Sequence, residues 1–208
     1  MGQGRRQSLI VSPITTAWFP NPVAAHLFTL VFFLWAISEV YNTFGTRRYR
    51  QTGHVQRNDH GTYWIILLVV WGSTAVSCLT RAFHLGAFRS NLQFVGPGIV
   101  VLGIALREWA VLSLGRFFTV SVMVVQGQTL IKRGPYRWLR HPAYSGSILS
   151  LVGFSLAIGT WVGALLVLFL SFTAYLNRVR VEEKALLAAY GDEYRAYQQQ
   201  TWRFFPGF

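Results

Sequence analysis

Acid is what this chain has least of. Its 208 residues include seven Asp and Glu against 19 Lys and Arg, a net charge of +12. Charge of either sign is scarce too, at 12%, where soluble domains carry about 25%. An ordinary soluble domain is therefore excluded. The single cysteine, Cys78, excludes an internal disulfide and a cysteine-based zinc site. Lying in an apolar run, it is expected to be a buried, inert thiol. No Gly-x-Gly-x-x-Gly follows a strand and there is no phosphate-binding loop. His54, His60 and His84 lack the spacing of metal ligands, so no metal site is expected. No serine stands in a nucleophile-elbow pattern.

What remains is apolar. Hydrophobic residues make up 52% of the chain, with eight Trp and 16 Phe. A membrane span needs about 20 mostly apolar residues. Residues 22–41, 62–80 and 94–114 meet this requirement. Residues 144–177 are too long for one span and break near Gly159-Thr160, so they read as a hairpin of two short limbs, 144–158 and 160–177. The expected fold is an all-α, polytopic membrane bundle of about five transmembrane helices in a single domain over residues 1–208. Residues 178–200, where Val179, Leu186, Tyr190, Tyr194 and Tyr197 interleave with charges, read as an amphipathic helix running along the membrane face. Gly191-Asp192 is a point of interruption, and Phe204-Phe205-Pro206 is placed to fold back onto the bundle. The opening residues, Met1 to Arg6, are too polar for the apolar core of a signal peptide.

The excess of base has a direction. With five spans, one side of the membrane holds Arg5, Arg6, Arg81 and Arg89. The other holds fourteen Lys and Arg, and only Arg107 falls within a span. Positive residues stay in the cytoplasm. The expected orientation is N-terminus outside and C-terminus inside. Nucleic acid is the usual partner of so basic a protein, but here the cations cluster beside apolar segments. Contact with anionic lipid is expected, and nucleic acid is not.

Three groups of residues carry potential chemistry. Residues 134–144, Gly-Pro-Tyr-Arg-Trp-Leu-Arg-His-Pro-Ala-Tyr, set cations, phenols and an indole between a turn-forming Gly-Pro and a helix start at His141-Pro142. Such a loop either anchors the membrane interface or cradles a polar cofactor. Arg178 and Glu182, four apart, share a helical face. They are either a surface ion pair or a carboxylate grip beside an acceptor for a cationic or hydroxyl group. Glu183 is expected to face elsewhere, toward solvent. Glu39 and Arg107 are the third group. Ionisable groups inside spans are costly and usually paired or functional, so the two either pair or Arg107 snorkels to the interface; a structural role is expected, with Glu108 competing for the same partner. Gly96, Gly98 and Gly103 would allow close helix contact, within or between chains.

Taken in order, Leu-Gly-Arg-Phe-Phe-Thr (114–119), Gln-Thr-Leu-Ile-Lys-Arg-Gly-Pro-Tyr-Arg-Trp-Leu-Arg-His-Pro-Ala-Tyr-Ser-Gly (128–146), Arg-Val-Arg-Val-Glu-Glu-Lys-Ala-Leu-Leu (178–187), Tyr-Gly-Asp-Glu-Tyr (190–194) and the terminal Phe-Phe-Pro resemble the isoprenylcysteine carboxyl methyltransferase family of membrane enzymes. The resemblance covers roughly the second half of the chain. It implies S-adenosylmethionine as cofactor, bound over residues 115–208 by Gln128, Thr129, Leu130, Ile131, Tyr136, His141, Pro142, Ala143, Tyr144 and Glu182. It implies that Arg178 handles the carboxylate of a lipid-tailed substrate. The Arg-His-Pro and Gly-x-x-Tyr features also suit a rival, a sterol-type membrane reductase using NADPH. Methylation of a different lipid, thiol or amine is a further alternative. Oligomeric state is not legible.

Overall fold

The computed structural model describes residues 18–44, 62–115 and 130–207. Every regular element among them is helical: α1 (Pro22–Phe44), α2 (Thr62–Ala82), α3 (Val95–Leu114), α4 (Pro142–Ala157), α5 (Trp161–Tyr190) and α6 (Asp192–Gln200). Short 3-10 turns, Asn91–Phe94 and Gly134–Arg137, lead into α3 and precede α4. The Arg47–Arg57 cluster, Arg116, Gln128 and Thr129 lie outside the described residues.

Local chemistry explains the helix ends. Asn21 Oδ1 accepts the Ala24 N–H at 2.9 Å, an N-cap followed by Pro22 at the first helical position. Thr160 Oγ1 likewise caps α5 through the Gly163 N–H at 3.0 Å. The α4–α5 turn is made by Gly159 at φ +83°, where a Cβ would collide with the Phe88 carbonyl. The hairpin foreseen at Gly159-Thr160 therefore forms.

Two expectations are corrected. The amphipathic segment does not leave the last span at residue 178, because α5 runs unbroken to Tyr190 and only Gly191 interrupts it. Leucine, alanine and arginine are all good helix formers, so nothing between 178 and 190 stops the helix. Cys78 is half-buried, not buried.

Three helices are long and apolar enough to cross a membrane, over Pro22–Asn42, Val95–Leu114 and Trp161–Tyr190. The apolar stretches Leu67–Ala82 and Pro142–Ala157 are shorter. Leu68, Leu102, Leu112 and Phe169 are 66–73% exposed, which suits lipid contact and would be untenable in water. Inward, Val31, Trp35, Val100, Leu151, Phe154 and Val167 form one core. Ile148, Tyr175, Val179 and Phe204 form a second at the C-terminal end. Phe204 is fully buried, so the terminal Phe-Phe-Pro does fold back.

The α3–α4 contact is the closest in the bundle and rests on small residues. A Cβ on Gly103 would lie 2.6 Å from the Gly146 carbonyl and strike Ser150 Oγ. Gly96 abuts Gly153 and Ala157, while Gly98 faces open space. The close contact is thus within the chain, and it uses two of the three glycines singled out. Gly103→Ala is expected to destabilise the protein by about 1–3 kcal/mol through overpacking, with Gly98→Ala near neutral. Thermal unfolding in detergent measures the difference.

The charged groups of α1 and α3 are paired. Arg107 Nη1 donates to the Glu39 carboxylate and, at 2.7 Å, to Ser147 Oγ on α4. Glu108 does not compete for Arg107. It accepts Ser38 Oγ–H at 2.6 Å and the Asn42 amide at 2.7 Å. These bonds tie α1 to α3 and α4 just beneath the C-terminal cluster.

Candidate active site

The loop from Gly134 to Tyr144 is held against the C-terminal tail. Trp202 N donates to Trp138 O at 2.9 Å, Arg140 N to Trp202 O at 2.7 Å and His141 N to Arg203 O at 3.1 Å. Ser145 Oγ then takes the Phe204 carbonyl at 2.6 Å, and Tyr197 Oη takes the Tyr136 carbonyl at 2.7 Å. Irregular backbone needs its hydrogen bonds met somewhere. Here two irregular segments satisfy each other and deliver His141, Pro142 and Tyr144 to the start of α4.

Tyr144 is the meeting point of the two sequence motifs. Its hydroxyl donates to Glu182 Oε2 at 3.0 Å, and Arg178 Nε donates to the same hydroxyl at 3.4 Å. The ring stacks on Tyr175 at 5.1 Å and on His141 at 5.9 Å. Arg178 is 3% exposed, whereas the Glu182 side chain keeps 31% of its surface accessible. A buried guanidinium and an open carboxylate therefore flank one phenol. Tyr136 is also buried. Burial pushes its phenol well above the usual range and the Glu182 charge adds to this, so it stays protonated.

Glu183 was expected in solvent, and the structure overturns that. It is 6% exposed. Its Oε1 accepts Arg140 Nε at 2.9 Å and lies 3.3 Å from His141 Nε2, and its Oε2 accepts Arg203 Nη2 at 2.9 Å. Burying a carboxylate is costly unless it is paired, and here Arg140, Arg203 and His141 surround it. The signal was present in the sequence: Tyr175, Val179 and Glu183 recur every four residues, so Glu183 continues a buried stripe of α5. His141, 4% exposed, sits between the two acids, with Nδ1 3.9 Å from Glu182 Oε2. Arg140 further donates Nη1 to the carbonyls of Gln198, at 2.9 Å, and Thr201. Arg140 belongs to the loop singled out from the sequence and the tail was expected to fold back, but Arg203 and the pairing of both arginines with Glu183 were not foreseen.

Of the residues expected to bind cofactor, Tyr136, His141, Tyr144 and Glu182 are brought together with Arg178. Pro142 is buried at the first position of α4 and Ala143 is half-buried beside it. Leu130 and Ile131 are half-buried in the approach to the loop, where Lys132 pairs with Glu193 of α6 at 2.8 Å. Tyr194 adds a feature absent from the sequence reading. Its ring is 1% exposed, its hydroxyl has no hydrogen-bond partner among the described residues, and it lies in the field of Glu183 and Glu182.

Comparison with known proteins points the same way. The model of the isoprenylcysteine carboxyl methyltransferase family matches residues 96–188. The uncharacterized protein YpbQ of Bacillus subtilis is 38% identical over 96 residues, 45% of this chain and 56% of that one. The protein-S-isoprenylcysteine O-methyltransferase of Schizosaccharomyces pombe is 25% identical over 157 residues, 69% of this chain and 66% of its own. Protein-S-isoprenylcysteine O-methyltransferase B of Arabidopsis thaliana is 22% identical over 189 residues, 79% and 96% of the two chains. This chain thus spans less than two thirds of the first two relatives. A solved structure of the eukaryotic intramembrane Ras methyltransferase, isoprenylcysteine carboxyl methyltransferase, aligns with a TM-score of 0.55 at 25% identity, covering 72% of this chain and 54% of that one. The matched segment begins at the glycine-lined α3–α4 contact and ends just beyond the turn of α5 that carries Arg178, Glu182 and Glu183, and over it the chain is similar to the isoprenylcysteine carboxyl methyltransferase family.

Proposed function

We propose that this chain is an S-adenosylmethionine-dependent membrane methyltransferase that esterifies the carboxylate of a lipid-tailed substrate, an isoprenylcysteine or a related lipid acid. The observation that carries this reading is the shared Tyr144 hydroxyl, which joins a buried arginine to a half-open glutamate. The residues suit such a cofactor. Two neighbouring acids, an unpartnered buried phenol at Tyr194 and the phenols of Tyr136 and Tyr144 favour a cationic, hydroxyl-bearing guest. Glu182, Tyr136, Tyr144, His141, Pro142 and Ala143 would hold it, with Leu130 and Ile131 in the approach. When bound, S-adenosylmethionine supplies a methyl group on a cationic sulfonium.

The protein's own residues have little proton chemistry to perform. A carboxylate, with a pKa near 4, is already ionised at neutral pH, so no general base is required. Arg178 binds the carboxylate through its planar fork and aims one oxygen. Tyr144 keeps Arg178 and Glu182 in register. The rings of Tyr144, Tyr175 and His141 exclude water, which strengthens each charge interaction. Orientation of this kind is worth roughly 7–11 kcal/mol of a barrier. The NADPH-reductase reading has no counterpart among the relatives compared and is not carried forward. In the membrane, we place the site at the cytoplasmic face and the N-terminus outside, from the arginine and lysine asymmetry.

Glu182→Ala is expected to weaken S-adenosylmethionine binding at least tenfold, about 1.4 kcal/mol, by calorimetry in detergent. Unchanged affinity, or NADPH binding in its place, would sink the assignment.

A further inference from the structure

The loop that carries the candidate site has a second face, turned away from the Tyr144 cluster. Gly134–Arg137 is a single 3-10 turn in which Pro135 and Tyr136 are buried. The Tyr136 carbonyl accepts Tyr197 Oη–H at 2.7 Å. Arg133, Arg137 and Trp138 are exposed. One turn thus offers a phenol inward, and two guanidiniums and an indole outward.

The depth of that outward face follows from α3. At 20 residues this helix just spans a hydrocarbon core, so its last turns mark the level of the lipid headgroups. The loop is pressed against those turns. Arg133 Nε donates to the Ser113 carbonyl at 3.2 Å. A Cβ on Gly134 would strike Ser113 Oγ and lie 3.2 Å from Trp109 Nε1. The Trp109 and Trp138 rings meet edge to face at 6.1 Å. They are 46% and 50% exposed, and Leu112 on the same turns is 73% exposed, so this side of α3 faces lipid. Indoles favour this level of a membrane. The Arg137 guanidinium lies 5.6 Å from the centre of the Trp138 ring, which keeps the cation beside the indole. A zwitterionic surface offers such cations little. An anionic headgroup attracts them by charge, and guanidinium forks match phosphate oxygens in geometry.

We propose that Arg133, Arg137 and Trp138 form a seat for one anionic phospholipid headgroup at the rim of the candidate site, with Trp109 and Leu112 against its acyl chain, and that its occupation strengthens cofactor binding. The seat goes beyond the methyl-transfer reading, and the coupling rests on it. Tyr136 adjoins Arg137, and its phenol lies in the field of Glu182. A cationic guest at Glu182 therefore meets the guanidinium of the next residue as a like charge. A phosphate on Arg137 cancels that charge, and by linkage the guest tightens the lipid in the same ratio.

The test uses the full chain in phosphatidylcholine nanodiscs doped with phosphatidylglycerol whose acyl chains carry bromine near the carbonyl. Quenching of tryptophan fluorescence reads lipid contact, and calorimetry with S-adenosylmethionine in the same discs reads the coupling. The expected result is saturable quenching at a lower mole fraction than with brominated phosphatidylcholine, unaffected by inorganic phosphate at constant ionic strength. Arg137→Gln raises the half-saturating fraction about fivefold, the worth of one arginine at an anionic surface. Trp138→Phe lowers the amplitude, and Arg195→Gln, which removes an exposed arginine of α6, changes neither. S-adenosylmethionine affinity rises severalfold with phosphatidylglycerol in the wild type and not in Arg137→Gln. Equal quenching by both lipids, or equal weakening in Arg195→Gln, would show diffuse attraction and overturn the seat. Displacement by phosphate would make it a site for a free anion and overturn the lipid assignment. A saturable seat with unchanged cofactor affinity would overturn the coupling alone. Loss of all S-adenosylmethionine binding in every disc would overturn the coupling together with the methyl-transfer reading, and the seat would still be decided by the quenching.

Discussion

Arg178→Ala is expected to reduce methyl-ester formation by about 10²–10³-fold, the usual cost of removing one preorganised donor from a developing charge, while leaving S-adenosylmethionine affinity nearly unchanged. The split follows from the two sides of Tyr144. Arg178 approaches the hydroxyl from within the bundle and is buried, whereas Glu182 accepts the hydroxyl's hydrogen bond from the accessible side. A lipid acid arriving through the bundle meets the arginine first. Arg178→Lys should recover only part of the activity, because an ammonium lacks the paired, planar donors. Single-turnover methylation of a prenylated cysteine, measured beside cofactor calorimetry, separates the roles. Equal loss of both functions in Arg178→Ala would show that the arginine organises the whole site and does not specifically hold the acceptor.

Glu183→Ala is expected to destabilise the protein by about 3–5 kcal/mol, the range for breaking a buried pair from one side. Arg140, Arg203 and His141 would lose the carboxylate that gathers them, and with it the clamp between the 138–141 loop and the tail. Thermal unfolding in detergent measures the loss, and an unchanged midpoint would overturn it.

The sequence made the helices legible because lipid imposes long apolar runs, and the hairpin legible because Gly159-Thr160 interrupts one. Arg178, Glu182 and the 134–144 loop were legible because their spacing and order are local. The tail pairing was not. Residues 202 and 203 contact 138–141 by backbone bonds across about sixty positions, and backbone bonds leave no residue code. Glu183 was misread for a related reason. A glutamate is priced as exposed unless its partners are known, and two of them, Arg140 and Arg203, come from distant segments. The Tyr194 hydroxyl could be found only once α6 was seen folded beneath the two acids.

The continuity of α5 sorts the two proposed reactants by depth. Seventeen residues separate Trp161 from Arg178, about 26 Å at helical rise, just short of a hydrocarbon core about 30 Å thick. Glu182 is one turn farther, at about 32 Å. On the proposed assignment a single rod would carry its group for the acid on the oily side of the boundary and its group for the polar cofactor on the wet side. Each reactant can stay in the phase it prefers, and the only distance left for the protein to close is one helical turn.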